Sequence, residues 1–162
     1  MAAVDYFLKI DTIQGESHDK THKNEIDLES WSWGEAQSGS MGQGGGGGTG
    51  KVAMQDFHFV MKVNKGSPKF LLACATGQHI GNAALTCRKA GKDQQEFLVV
   101  KFTDLLVSSF QTGGSGSSDV VPTDQISLNY SKIEYQYKEQ NADGTLAGPI
   151  TTWYNIKEMH GG

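Results

Sequence analysis

"DQISLNYSKIEYQYK", residues Asp124 to Lys138, alternates apolar and polar side chains, but not in one phase. Ile126, Leu128 and Tyr130 set the first phase; Ile133, Tyr135 and Tyr137 set the second. Side chains of a strand point alternately to its two faces, so a one-residue change of phase calls for an extra residue, a β-bulge. The same slip recurs. In "EIDLESWSWGEAQ" Ile26 and Leu28 give way to Trp31 and Trp33, and in "VAMQDFHFVMK" Val52 and Met54 give way to Phe57, Phe59 and Met61. Bulges in several long strands bend a sheet and help to close it. The pattern therefore predicts a mainly β protein, a β-barrel or strongly curved sandwich, with Trp31, Trp33, Tyr135 and Tyr137 on the apolar phase and in the core.

Strands are expected at Val4–Ile10, Glu25–Gln37, Val52–Lys62, Ala83–Lys89, Gln95–Ser109, Gln125–Lys138 and Thr151–Lys157, each bounded by turn-forming residues. In "QEFLVVKFTDLLVSS" both phases are apolar across Phe97–Val100, as in a strand covered on both faces. One flanking α-helix is expected in "SPKFLLACATGQH", with Ser67 as N-cap, Pro68 at the first helical position and Gly77 as the stop. Its apolar face is read as Phe70, Leu71, Cys74 and Ala75.

With 162 residues and 17.5 kDa, the chain reads as a single domain, 1–162. A net charge of -4 gives no reason to expect nucleic acid or an anionic membrane as a partner. Cys74 and Cys87 are too few for a disulfide framework and are expected to be buried free thiols. The start, "MAAVDYFLKI", places Asp5 where a signal peptide would be apolar. The expectation is synthesis in the cytoplasm, with any export following a route without a cleavable signal.

"SGSMGQGGGGGTGK", residues 38–51, joins two of the expected strands. Gly45 to Lys51 satisfies most of the phosphate-loop pattern G-x-x-x-x-G-K-[ST], but Val52 stands where the magnesium-binding hydroxyl belongs, and a strand rather than a helix follows. Two readings remain open. One is a flexible tether; the other is an extended hairpin arm whose order comes from docking on a second copy.

Catalytic chemistry finds little support. "GGSGSS", residues 113–118, lacks the geometry of a nucleophile elbow, and Cys74 belongs to the apolar helix face. His18 and His22 stand four residues apart beside Glu16 and Asp19, yet no third ligand follows at a fixed spacing, so a solvated or capping role is expected. No cofactor, metal or catalytic residue is implied.

"QGESHDKTHKNEIDLESWSWG" (14–34), "SPKFLLACATGQH" (67–79), "LTCRKAG" (85–91), "LLVSS" (105–109) and "ISLNYSKIEYQY" (126–137) together resemble the Hcp (haemolysin co-regulated) proteins of type VI secretion systems. The likeness runs over essentially the whole chain, and it rests on the order and spacing of these blocks. It implies a curved two-sheet β-barrel with one flanking α-helix, assembled as a homohexameric ring that stacks into a tube, with a spike protein at the tip and a contractile sheath that propels it. It also implies small effector toxins carried in the lumen, and secretion by that route.

The resemblance gives the residue patterns their expected roles. By alternation Ser30, Ser32 and Gly34 lie opposite Trp31 and Trp33, so they are expected to face the lumen and its effectors. Ser40, Met41, Gly44, Gly45, Gly46, Gly47 and Gly48 would form the inter-subunit arm. Glu16, Ser17, His18 and Asp19 on one loop, with Gly113, Gly114 and Ser115 on another, would contribute to ring stacking. The competing reading is a monomeric β-sandwich binding module, which needs exposed aromatic residues on one face.

Overall fold

The computed structural model describes residues 4–38, 51–89, 94–117 and 120–162. Its organising strand is β9 (Thr123–Tyr137). Along one edge, β9 pairs with β8 (Glu96–Gly113), from Leu98 opposite Tyr137 to Gly113 opposite Thr123. Along the other edge it has two partners in succession. β6 (Phe57–Lys62) takes Thr123 to Leu128, and β10 (Ile150–Asn155) takes Lys132 to Tyr137.

The phase slip falls at this changeover. Leu128 and Tyr130 are buried, and the next buried residue is Ile133. Contrary to the sequence reading, the turn of face here involves no extra residue. Asp104 of β8, in the left-handed region at φ 51°, and Ser131 both lie between the pairs Thr103–Lys132 and Leu105–Tyr130, so the two strands turn together and register is kept. The bulge in this ladder sits at Ser108, where register shifts between Val107 and Ser109.

β7 (Ile80–Lys89), β1 (Val4–Ile10) and β2 (Ile26–Asp27) extend the sheet beyond β8, while β11 (His160–Gly161) follows β10 and β3 (Ser30–Ser32) follows β6. These strands form one continuous antiparallel sheet, strongly curved because β9 divides its edge between β6 and β10. A separate ribbon joins β4 (Glu35–Gln37) to β5 (Val52–Met54).

The single strand expected over 25–37 is broken into β2, β3 and β4. Leu28 N–H donates to Tyr6 O at 3.0 Å, whereas Glu29 N–H donates to Val60 O at 2.8 Å. Adjacent amides therefore bond in opposite directions, and the chain passes from β1 to β6, drawing the curled sheet back towards its first strand. The stretch 52–62 likewise divides, at Gln55–Asp56.

The core is aromatic. Phe57 lies 4.8 Å from Phe102 and 5.8 Å from Phe59 between ring centroids, and Phe59 lies 5.8 Å from Phe70 of helix α1 (Ser67–Thr76). All four rings are fully buried, each stabilising the fold by roughly 1.5–3 kcal/mol through removal from water. Trp31 and Trp33 are half-buried against this core. Tyr135 and Tyr137 are not in it: both are exposed, and Tyr135 lines an open groove beside Ile133.

Two details of α1 differ from expectation. Its N-cap is Gly66, because the Ser67 hydroxyl is turned to the sheet, donating to Asp124 Oδ2 at 2.5 Å and accepting from Asn64 N–H at 3.0 Å. Its buried face is Ser67, Phe70 and Ala73, with Cys74 half-buried, while Leu71 and Ala75 are exposed. The stop at Gly77 stands as expected, with φ 65° in the left-handed region.

Candidate functional site

Register places small polar residues in line across four strands. Ser32 on β3 stands opposite His58 on β6, His58 opposite Ser127 on β9, and Ser127 opposite Ser109 on β8. A parallel row runs from Ser30 through Val60 and Gln125 to Gln111. Directly opposed residues share a face, so these rows form one polar surface, outside the aromatic core.

The bulge at Ser108 finishes that surface. It brings two serines of β8 against one of β9, with Ser127 Oγ 2.7 Å from Ser108 Oγ and 2.5 Å from Ser109 Oγ. Ser108 also donates to Asp56 Oδ2 at 2.6 Å, and Asn129 Nδ2 donates to Asp56 Oδ1 at 2.9 Å. Ser127 is buried beneath this mesh, while Ser30, Ser32 and His58 remain exposed. Among the described residues no hydrogen bond joins His58 to a serine, so the row offers hydroxyl and amide contacts and water rather than an activated nucleophile. Gly34 does not belong to it. β3 ends at Ser32, and Gly34 sits half-buried beyond the strand, accepting from Gln55 N–H at 2.9 Å.

The two loops expected to meet neighbouring rings lie at opposite ends of β8. Gly113 is its last residue, Gly114 and Ser115 follow in the connection to β9, and all three are exposed. The loop containing Glu16, Ser17, His18 and Asp19 is tied near its first residue, Glu96, through His22 Nε2 at 2.6 Å. Glu16 and His18 project outwards. Ser17 instead is 2% exposed and serves the loop itself: its N–H donates to Glu25 O at 3.0 Å and its Oγ accepts from Asp19 N–H at 3.2 Å. Asp19 is half-buried and paired with Arg88, whose bond holds its carboxyl well below the ordinary range.

Sequence reasoning missed this charged seam. Arg88 is 3% exposed, contacts Asp19 at 2.7 Å and Asp5 at 3.3 Å, and lies 4.8 Å over the Phe7 ring. His22, for which a solvated or capping role was expected, is buried. Among the described residues no group of His, Cys, Asp and Glu is arranged to hold a metal ion.

A second surface also escaped notice. An open groove of about 1120 Å³ is lined by Trp31, Trp33, Tyr135, Trp153, Tyr154 and Met159, among others. The C-terminal strand shapes its wall. Gly162 exchanges backbone bonds with Trp153 at 2.8 and 3.0 Å, and a Cβ on Gly161 would stand 2.6 Å from Trp153 O, an approach only glycine allows. The arm residues Ser40, Met41 and Gly44 to Gly48 lie outside the described residues.

Residues 7–137 match the protein family described as "Type VI secretion system effector, Hcp". Protein hcp1 of Pseudomonas aeruginosa is 48% identical over 158 residues, spanning 96% of this chain and 97% of that protein. Among solved structures, Hcp1 from Salmonella typhimurium superposes with a TM-score of 0.80 at 34% identity, covering 99% of each chain. A structure described as a type six secretion system protein reaches a TM-score of 0.93 at 27% identity, covering 99% of this chain and 100% of its own.

Proposed function

The chain belongs to the Hcp family of type VI secretion system proteins, and we propose that it is the repeating unit of a homohexameric ring that stacks into the tube of that system. In this reading the polar rows through Ser32 and Ser30 line the lumen. The aromatic groove and the exposed apolar side chains are covered by neighbouring copies. The loops at the two ends of β8 meet the rings above and below. The spike protein and contractile sheath act on the assembled tube, small effector toxins travel inside it, and the chain leaves the cell by this route. Its role is structural and involves no catalysis. Among the described residues no helix is long and apolar enough to cross a membrane.

The observation that carries the reading is the large apolar surface left open on one copy. Leu71 and Leu72 are 54% and 59% exposed on α1, and Tyr135, Ile150 and Met159 are 40%, 68% and 58% exposed. Scattered apolar residues are ordinary, but a groove lined with tryptophan and tyrosine calls for a cover. The polar rows complement it: hydroxyls and amides keep a channel wall wet and weakly adhesive.

A second reading, the monomeric binding module, draws on the same groove, since exposed aromatic residues suit a flat ligand such as a sugar ring. Negative-stain micrographs of the purified protein separate the two. Annular particles are expected; isolated compact particles at every salt concentration would remove the ring.

A further inference from the structure

The loop 14–25 is fastened to the sheet at two points of different chemistry. At the first, Asp19 takes two bonds from Arg88 of β7, with Oδ1 3.0 Å from Nη1 and Oδ2 2.7 Å from Nη2. An arginine stays charged throughout the working range of pH, and Asp19 stays ionised beside it. This fastening does not change near neutrality.

At the second point, the His22 ring lies flat on Phe7 of β1, with centroids 4.5 Å apart and planes 8° apart. Its Nδ1 is 2.9 Å from Glu25 Oε2 within the loop, and its Nε2 is 2.6 Å from Glu96 Oε1 at the start of β8. A neutral imidazole has one N–H and one lone pair, so it donates to one carboxylate and presents a lone pair to the other. Both contacts together require the doubly protonated ring. We propose that His22 is a proton-operated fastener: protonated, it bolts the loop to β8; deprotonated, it releases a carboxylate, and residues 22–25 loosen while Asp19 stays locked to Arg88.

The surroundings agree. Burial works against the charged ring, but Glu96 and Glu25 outweigh it and raise the His22 pKa above its ordinary value. The other charged groups nearby are Asp19, which accepts from His22 N–H at 3.2 Å, Arg88 over the shared Phe7 ring, Asp5 paired with Arg88, and Asp27 of β2 opposite Phe7. A raised histidine pKa stabilises the fold below the ordinary value, near pH ~6.5, and that contribution is lost as pH climbs through the folded value. The part set free contains a tight turn, with Asn24 in the left-handed region at φ 64°, a conformation asparagine adopts readily. Four backbone bonds keep it closed: Glu25 N–H to His22 O at 3.2 Å, Asn24 N–H to Ser17 O at 2.9 Å, Gly15 N–H to Asn24 O at 2.8 Å and Ser17 N–H to Glu25 O at 3.0 Å.

The inference concerns the fold of one chain and holds whether or not rings form. Its consequence for stacking, that the surface carrying Glu16 and His18 is set by a proton at His22, rests on the ring proposal. Amide hydrogen exchange on the full chain, corrected for intrinsic rates, tests the fastener itself. Between pH 6 and pH 9, protection of the amides of Asn24 and Glu25 is expected to fall about tenfold or more, while that of Thr21, held by Asp19, stays constant. His22→Gln is expected to abolish the dependence. Glu96→Gln is expected to move the transition to lower pH by on the order of one unit. Glu96 is 42% exposed at its side chain, so that variant keeps the test available if His22→Gln fails to fold. Equal protection at both pH values, a pH dependence that survives His22→Gln, or an unmoved transition in Glu96→Gln would overturn the proposal.

Discussion

Ser32 and His58 stand opposite each other across the β3–β6 ladder, and the line they begin continues through Ser127 to Ser109 on two further strands. In the proposed ring this row lines the lumen and is spread over four strands, so one bulky substitution in it should alter what passes without altering the fold. Ser32→Gln is expected to change stability by less than about 0.5 kcal/mol, as exposed substitutions do, and to leave the assembly intact while lowering cargo retention. Thermal unfolding and particle mass check the first two points, and co-purification of cargo checks the third. Loss of the ring would place Ser32 in an interface instead.

Arg88 is the cation that reconciles Asp5 and Asp19, and its side chain is 4% exposed. Arg88→Ala should cost roughly 1–3 kcal/mol in urea unfolding, because it removes a buried, well-bonded side chain and leaves the half-buried Asp19 without its partner. Asp19 also gives the pair a pH signature. Its pKa is lowered, so its stabilisation is present above the ordinary carboxylate range and is lost as pH falls through and below that range. Asp19→Asn is expected to flatten this acid loss; an equally steep loss in the variant would contradict the assignment.

Gly15 is held by contact rather than by conformation. A Cβ there would lie 2.6 Å from Glu25 O and 2.8 Å from Ile26 Cα, and both are backbone atoms that cannot step aside. Gly15→Ala should destabilise the protein by about 1–3 kcal/mol. Gly116→Ala, with nothing within 4 Å of the added carbon, should be near neutral. Equal thermal midpoints for the two variants would count against the close approach of the loop to β2.

The two thiols should separate kinetically. Burial pushes the Cys87 thiol up to about 12, whereas Cys74 is half-buried on α1. With an aromatic disulfide reagent near pH 8, Cys74 is expected to react in the folded protein and Cys87 only on unfolding. Simultaneous reaction of both would show that β7 opens more readily than its place in the core implies.

Local signals in the sequence proved informative where one residue decides the outcome. The bounds of β1, the stop at Gly77 and the change of face between Tyr130 and Ile133 could all be read directly. The direction of a hydrogen bond leaves no trace in side-chain alternation, which is why the transfer of the chain from Tyr6 to Val60 was read as one strand. Ser127 and Ser32 look alike in an alternation pattern, yet one is buried in a hydroxyl mesh and the other is open. His22 finds Glu96 across most of the domain, and such pairings are decided by folding rather than spacing. The helix face was misread because Leu71 continues an apolar pattern that this chain alone does not bury.

Light scattering coupled to gel filtration tests most directly whether identical copies cover that open apolar surface. A particle mass about six times the 17.5 kDa of one chain is predicted. The mass of a single chain at every concentration would contradict the ring and leave the monomeric binding module in its place.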